Sequence, residues 1–504
     1  MNKVDSGMKA PVEATLDARL LRIAAVVVLG TFMSILDTTI VNVAIKDLSR
    51  SFNAPLATMQ WIATGYMLAL ATVIPLTGWA ADRFGTKRLY IASIGMFLLG
   101  SALSGSAWSA GSLVFFRVLQ GLGGGMIMPA GMTILTHAAG PKRMGRVMGI
   151  VGVPMLLGPI IGPILGGWLV DDVSWRWIFF VNLPIGAMAL YAAMRVLDRD
   201  EPRPHHALDW RGLLMLSPGL AIFVYGLAET AAGAGLDSVG GGGAIVLGLA
   251  LVIGFVLHAR VCEGALIDVR LFVHRAVGAP AATVFLFCMA FFGVALLMPL
   301  YFQLVLGKSA FDAGMLLAAQ GIGAMISMPI AARLTDRLGA GRIVLVGLSL
   351  VALGMLSLSL IAADTSLVQI ELTLFVMGLG MGSTMMPSMS AALSATVRPN
   401  VARVTAGLNV LQRVGGSIGT ALLAVVLSHQ LAVVMPVGEG HAGLSAAHAM
   451  PAGIGGHALP ALGAAFGHTF IWSFGVVLCA LVAALFILRA RPDASMERVP
   501  VIVE

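Results

Sequence analysis

The sequence predicts an all-α membrane protein whose fourteen transmembrane helices are arranged as six, two and six. Three observations predict it. The 504 residues are 58% hydrophobic and 11% charged, with a mean hydropathy of +0.94, where soluble domains carry about 25% charge. Fourteen apolar stretches reach the roughly 20 residues that a helix needs to cross a bilayer. A loop motif after the second stretch returns after the tenth.

In chain order the stretches are 21–45, 56–80, 88–107, 111–136, 145–170, 176–197, 210–230, 242–260, 277–305, 311–335, 341–362, 367–396, 403–428 and 464–489. The first starts behind Lys9, Arg19 and Arg22 and runs for about 25 residues, too long for a signal-peptide core. It is an uncleaved span. An even number of spans puts both termini on one side, and basic residues mark that side as cytoplasmic. The termini and the loops after even-numbered spans hold 25 of the 31 lysines and arginines. The other loops hold Lys46, Arg50, Arg176 and Lys308, while Arg117 and Arg413 lie inside spans. The net charge of +7 is therefore a topology signal and not a nucleic-acid one.

The loop Gly78-Trp79-Ala80-Ala81-Asp82-Arg83-Phe84-Gly85-Thr86-Lys87-Arg88 shares Asp-Arg-x-x-Gly and a terminal Arg with Ala332 to Arg342, where Asp336, Arg337 and Gly339 stand in register. Met128-Pro129 in span 4 is echoed by Met386-Pro387 in span 12. Two related halves follow. The expected division is a cytoplasmic tail at 1–20, a six-helix bundle at 21–197, a linker with two inserted helices at 198–276, a second six-helix bundle at 277–489 and a tail at 490–504. The second bundle includes an extracytoplasmic loop at 429–463. Its Gly, Ala and His content reads as a mobile loop, and the five histidines from His429 to His468 lack metal-ligand spacing.

Residues Gly149 to Gly167 carry the heaviest glycine and proline load in the chain. At helical spacing Gly158, Gly162 and Gly166 form one bare stripe, with Pro159, Pro163 and Gly167 beside it. In lipid such a stripe lets a neighbouring helix approach closely. It reads as a helix that seals and bends, or as a plain packing seam.

Asp37 is the one acid placed deep in a span, because Glu229, Asp312, Asp364 and Glu371 sit near outer ends. A mid-span carboxylate costs about 2.5–3.5 kcal/mol on insertion scales. Asp37 must then be neutral or line a wet cavity, as a proton-exchanging group or as a structural carboxyl. Ser34 shares its face. Arg117 is similarly deep, with Gln120, Gly121 and Gly124 along its face. Its guanidinium stays charged, so it can tune the coupling carboxylate or pair with backbone carbonyls, but it cannot carry the proton. Arg413 shares a face with Asn409, Gly416, Ser417 and Thr420, a polar stripe that lines a cavity or bonds helices together.

These motifs resemble the major facilitator superfamily, and the fourteen-span layout resembles its drug:proton antiporter branch of the EmrB/QacA type. Leu36-Asp37-Thr38-Thr39-Ile40-Val41-Asn42-Val43-Ala44 resembles the branch's span 1 motif, with Lys46 where a proline is usual. Arg117-Val118-Leu119-Gln120-Gly121 resembles the span 4 motif, and Gly149, Gly158, Gly162-Pro163 and Gly166-Gly167 match the antiporter motif of span 5. Trp175 to Pro184, read as Trp-Arg-Trp-Ile-Phe-Phe-Val-Asn-Leu-Pro, also resembles the branch. The resemblance implies a multi-pass protein of the bacterial inner membrane that exports small lipophilic compounds against a proton gradient, with no cofactor. It leaves open whether a periplasmic adaptor protein extends the path.

Asp82, Arg83, Gly85 and Arg88, with Asp336 and Arg337, form candidate gate loops whose charges pair in one state and separate in the other; the other reading is that they only enforce topology. The substrate site is expected near the midplane between the halves. Trp61, Tyr66, Phe291, Phe292, Met298, Gln320 and Arg413 are candidate lining residues, and the single deep acid leans the substrate toward monocationic or neutral compounds. An enzyme is excluded by the lack of His-Glu-x-x-His, Gly-x-Ser-x-Gly or clustered acids. Gly307-Lys308-Ser309 lacks the upstream glycine of a phosphate loop. Cys262, Cys288 and Cys479 read as packing residues without ligand spacing, so no metal is expected. The remaining alternative is a proton symporter, or an exporter of one specific metabolite, on the same fold.

Overall fold

The computed structural model describes residues 17–54, 56–140, 143–198, 208–231, 238–262, 264–308, 310–362, 364–397, 400–434 and 459–489. Among them the chain is helical, without strands. The first six passes are α1 (Ala18–Ser51), the pair α2 (Leu56–Val73) and α3 (Leu76–Phe84), α4 (Thr86–Gly105), α5 (Ala110–Ala139), α6 (Met144–Asp172), and the pair α7 (Trp177–Phe180) and α8 (Asn182–Val196). The inserted pair is α9 (Trp210–Ala231) and α10 (Ala244–Val261), the latter entered through a π turn at Val239–Gly243. The last six are α11 (Arg275–Leu304), α12 (Ala310–Leu338), α13 (Ala340–Ser359), the pair α14 (Leu367–Gly382) and α15 (Met385–Ser394), α16 (Val401–Val434) and α17 (Leu459–Arg489).

Twelve helices among the described residues are long and apolar enough to cross a membrane, and the pair α2–α3 makes a thirteenth. The 29-residue α6 completes the order. The second pass bends by 57° where Pro75, lacking an N–H, cannot continue the helical ladder. The twelfth pass breaks between Gly382 and Met385, beside Pro387. Its sequence echo Pro129 stays inside an unbroken α5. The predicted outer loop is shorter than expected, because α16 runs on to Val434 and α17 begins at Leu459. Its centre, the linker residues 199–207 and both tails lie outside the described residues.

The predicted glycine stripe of α6 is a seam. A Cβ added at Gly158 would meet Ile35 at 2.4 Å, at Gly162 Thr39 Oγ1 at 2.0 Å, and at Gly166 Ile40 at 2.8 Å. The Thr39 hydroxyl donates to the Gly158 carbonyl at 3.2 Å across this α1–α6 contact. Gly167 does not belong to it, since its added Cβ meets nothing within 4 Å. The side chain of Pro163 lies outside the described residues. At its other end α6 leans on the second half, where Gly149 faces Ala332 and Gly152 faces Met328 and Met386. The helix is continuous across both contacts.

The helix ends that carry most of the basic residues form one end of the bundle, the basic end. There Asp17 caps α1 by accepting from Leu20 N–H at 2.7 Å and pairs with Arg143 at 3.2 Å. The Leu20 hydrogen bond, helped by Arg143, holds its carboxyl below the usual carboxylate range. Arg19 pairs with Asp198, and Lys87 Nζ donates to the Met194 carbonyl at 3.1 Å and to the Leu197 carbonyl. The apolar core divides along the same axis. At the basic end one cluster joins both halves, with Leu20, Leu89 and Leu135 packed together with Val277, Met328, Met389 and Leu408. Toward the opposite end each half keeps its own cluster, around Ile40, Met59 and Phe179 in one and Phe302, Ile361 and Phe466 in the other.

Candidate proton-coupling and gating site

Asp37 of α1 and Arg117 of α5 meet in the interior of the first half. Arg117 Nη1 donates to Asp37 Oδ2 at 2.7 Å, with the carboxylate 0% and the guanidinium 1% exposed. The other carboxylate oxygen accepts from Gln120 Nε2 and from Asn182 Nδ2, both at 2.8 Å. Arg117 Nη1 also reaches Gln120 Oε1 at 2.7 Å, and its Nε reaches the Ile62 carbonyl at 3.4 Å. The guanidinium lies 4.0 Å from the Tyr66 ring centroid and 5.7 Å from that of Phe179, a cation–π cradle. Four passes thus converge on one ion pair.

In this state Asp37 is fully buried, its carboxylate against a guanidinium and two amide donors. Removing one member of such a pair costs about 3–5 kcal/mol in soluble proteins, because the other charge is left uncompensated. Asn182 itself is positioned by the break between α7 and α8, which places it at the start of α8. There its Nδ2 also donates to Ser101 Oγ at 3.0 Å, and Ser101 donates to the Phe179 carbonyl at 2.9 Å. Its own Oδ1 is buried without a partner. The sequence shows Asn182 inside a motif but gives no sign that it touches Asp37, 145 residues away.

The gate loops are equivalent in the two halves. Gly85 has φ +86° and Gly339 φ +85°, a conformation that L side chains rarely adopt. Asp82 of α3 pairs with Arg403 in the first turn of α16 at 3.8 Å. Asp336 of α12 pairs with Arg146 in the first turn of α6 at 3.3 Å. Each loop acid therefore reaches the fifth pass of the opposite half, and Gly78 lets the Arg403 backbone approach to 3.4 Å of its added Cβ. Arg83, Arg88 and Arg337 are exposed at the same end.

The proposed lining residues scatter. Tyr66 is buried against Arg117. Trp61 turns away, stacking on Tyr225 of the inserted α9 at 6.0 Å. Met298 is a core residue at 1% exposure, and Phe291 stacks on Phe287 at 5.8 Å. Phe292 is 44% exposed and lies against Gly416. Gln320 is half-buried on α12, where its backbone carbonyl crowds Gly378. Along the polar stripe of α16, Asn409 and Thr420 bond back to their own helix. Arg413 is exposed and within electrostatic reach of Tyr66 across the interior.

The family model of the Major Facilitator Superfamily matches residues 27–420. The chain is 42% identical to a multidrug resistance protein B homolog of Mycobacterium tuberculosis, with 97% of this chain and 93% of that one covered. It is 33% identical to the tetracenomycin C resistance and export protein of Streptomyces glaucescens, with 81% and 76% covered. Among solved structures, the human organic anion transporter MFSD10 superposes with a TM-score of 0.61 at 16% identity, over 92% of this chain and 99% of that one. The proton:xylose symporter XylE gives 0.60 at 15%, over 93% and 95%. The convergent ion pair, the paired loops and these likenesses agree: the chain is a transporter, not an enzyme, and belongs to the major facilitator superfamily.

Proposed function

We propose that the protein is a proton-coupled antiporter that exports small lipophilic compounds across the bacterial cytoplasmic membrane by alternating access, with both termini and the basic end in the cytoplasm. The buried Asp37–Arg117 pair carries this reading. Protonation of Asp37 cancels its charge and leaves Arg117 held only by Gln120, the Ile62 carbonyl and two ring faces. A charge so poorly compensated in a low-dielectric interior favours rearrangement of α1 and α5. Proton entry thereby links to a change of state, and the proton gradient replaces any cofactor. The cluster shared by both halves at the basic end, with the two crossed ion pairs, supports assigning this state as closed to the cytoplasm and facing outward.

The substrate class shifts from the one the sequence suggested. In this state Asp37 is closed off, and Arg413 of α16 is an exposed charge among the described residues. Neutral or weakly acidic lipophilic compounds suit that surface better than monocations. A periplasmic adaptor remains a proposed partner only. The test uses proteoliposomes under an imposed proton gradient: antiport moves proton and substrate in opposite directions, and Asp37→Asn abolishes gradient-driven transport while the protein stays inserted. Movement of both in the same direction would identify a symporter, and normal transport by Asp37→Asn would remove the proton role from this residue.

A further inference from the structure

The inserted helices hold a cluster that the transport cycle does not use. Asp209 sits immediately before α9, and its Oδ1 accepts from Gly212 N–H at 2.8 Å. His258 and Cys262 stand one turn apart at the end of α10, where Cys262 N–H closes on the His258 carbonyl at 2.9 Å. His258 Nε2 lies 2.9 Å from Asp209 Oδ1. One carboxylate oxygen, one imidazole nitrogen and the Cys262 Sγ all fall within 4.8 Å of one another. The Asp209 side chain is 5% exposed and that of His258 22%. Asp209 Oδ2 is buried with no hydrogen-bond partner, which is unfavourable, most of all for a charged group. Cys262 also packs against the apolar cluster of the inserted helices.

We propose that Asp209, His258 and Cys262 form a binding site for a zinc-class divalent ion that clamps the start of α9 to the end of α10. A thiolate, an imidazole and a carboxylate are the donors such an ion takes, with bonds of about 2.0–2.3 Å. In a tetrahedron these bonds set the donors about 3.6 Å apart, so closure from the observed spacing needs shifts of about 1 Å. The thiolate and carboxylate together supply two negative charges that neutralise a dication, and Asp209 Oδ2 gains the partner it lacks. Water completes the fourth position. Binding displaces the thiol proton, so one proton is released for each ion taken up. Calcium and magnesium are excluded by their need for six or more oxygen ligands. The site rests on an apolar bed of Leu216, Phe255, Ala259 and Leu266, which limits solvent around the ion.

The test uses the full-length protein in detergent, purified without a histidine tag and stripped by a chelator. Zn2+ titrated against a chromophoric chelator is expected to fill one site, and Co2+ to give a thiolate-to-cobalt charge-transfer band. The Cys262→Ser variant loses the band. His258→Ala and Asp209→Asn weaken binding beyond the roughly 10–100-fold that outer-shell changes cost. Zn2+ also slows alkylation of Cys262 in the unmodified protein while the exposed Cys479 reacts at an unchanged rate, a readout independent of how the variants fold. Failure to retain an equivalent, an unchanged cobalt band in Cys262→Ser, or equal alkylation of Cys262 with and without Zn2+ would overturn the site. Binding carried instead by the histidines between α16 and α17 would appear as a retained equivalent without a thiolate-to-cobalt band and with equal alkylation of Cys262, and would overturn the site.

Discussion

Asp37 and Arg117 were legible from the sequence because a charge inside an apolar span is rare enough to demand a reason. Their neutral partners were not. Ser101 and Asn182 are short polar residues of a kind common in spans, and only the break before α8 turns the amide of Asn182 onto Asp37 Oδ1. Asn182 therefore belongs with the carboxylate as a positioning residue. Its replacement by Ala removes one of the donors to the ionised carboxylate, which stabilise that form. The expected result is a changed pH profile of transport with substrate affinity unchanged. A pH profile in proteoliposomes checks this, and a profile identical to the parent would leave Asn182 a purely structural residue. The ligands Asp209, His258 and Cys262 were missed for a related reason, since 49 residues separate Asp209 from His258 and no local spacing announces them.

Among the elements, α6 was the most legible, because bare stripes at i, i+4 and i+8 mean close helix approach whatever the function. Which helix fills the stripe was not legible, and neither was the exclusion of Gly167. The contrast gives a matched pair of substitutions. Gly162→Leu puts atoms where Thr39 Oγ1 already stands, 2.0 Å from the first added carbon, so transport is expected to fall at least tenfold, a loss on the order of 1.4 kcal/mol or more in barrier. Gly167→Ala meets open space and is expected to retain parental transport. Expression, membrane insertion and uptake measured side by side decide it; equal activity of the two would mean that the α1–α6 seam tolerates separation during the cycle. The bend of the second pass follows from Pro75, and the break in the twelfth lies beside Pro387. Pro129 shows why the proline alone does not decide, since α5 continues through it as one helix.

At the scale of the whole molecule the repeat was visible in the loops, but the partners of the loop acids were hidden by the same charge bias that revealed the topology. Arg146 and Arg403 read as two more basic residues on the basic side. In the structure they are the other halves of the crossed pairs. Asp82→Asn with Asp336→Asn is expected to shift the population toward the state open at the basic end, read as increased labelling of cysteines placed on the facing surfaces of α6 and α12. Restoring one pair in reversed polarity, Asp82→Arg with Arg403→Asp, is expected to recover part of the closed population; labelling unaffected by either change would confine these charges to topology. The crossed pairs have a further implication. An acid on one half meets a base on the other, and the same acid on the second half meets the same base on the first. That is the form of an isologous contact between identical partners. A single six-pass unit bearing one such acid and one such base could close on a copy of itself with every charge satisfied, so the fused chain needed no new recognition at its seam. The two sides differ elsewhere, one holding the buried acid and the other the exposed arginine.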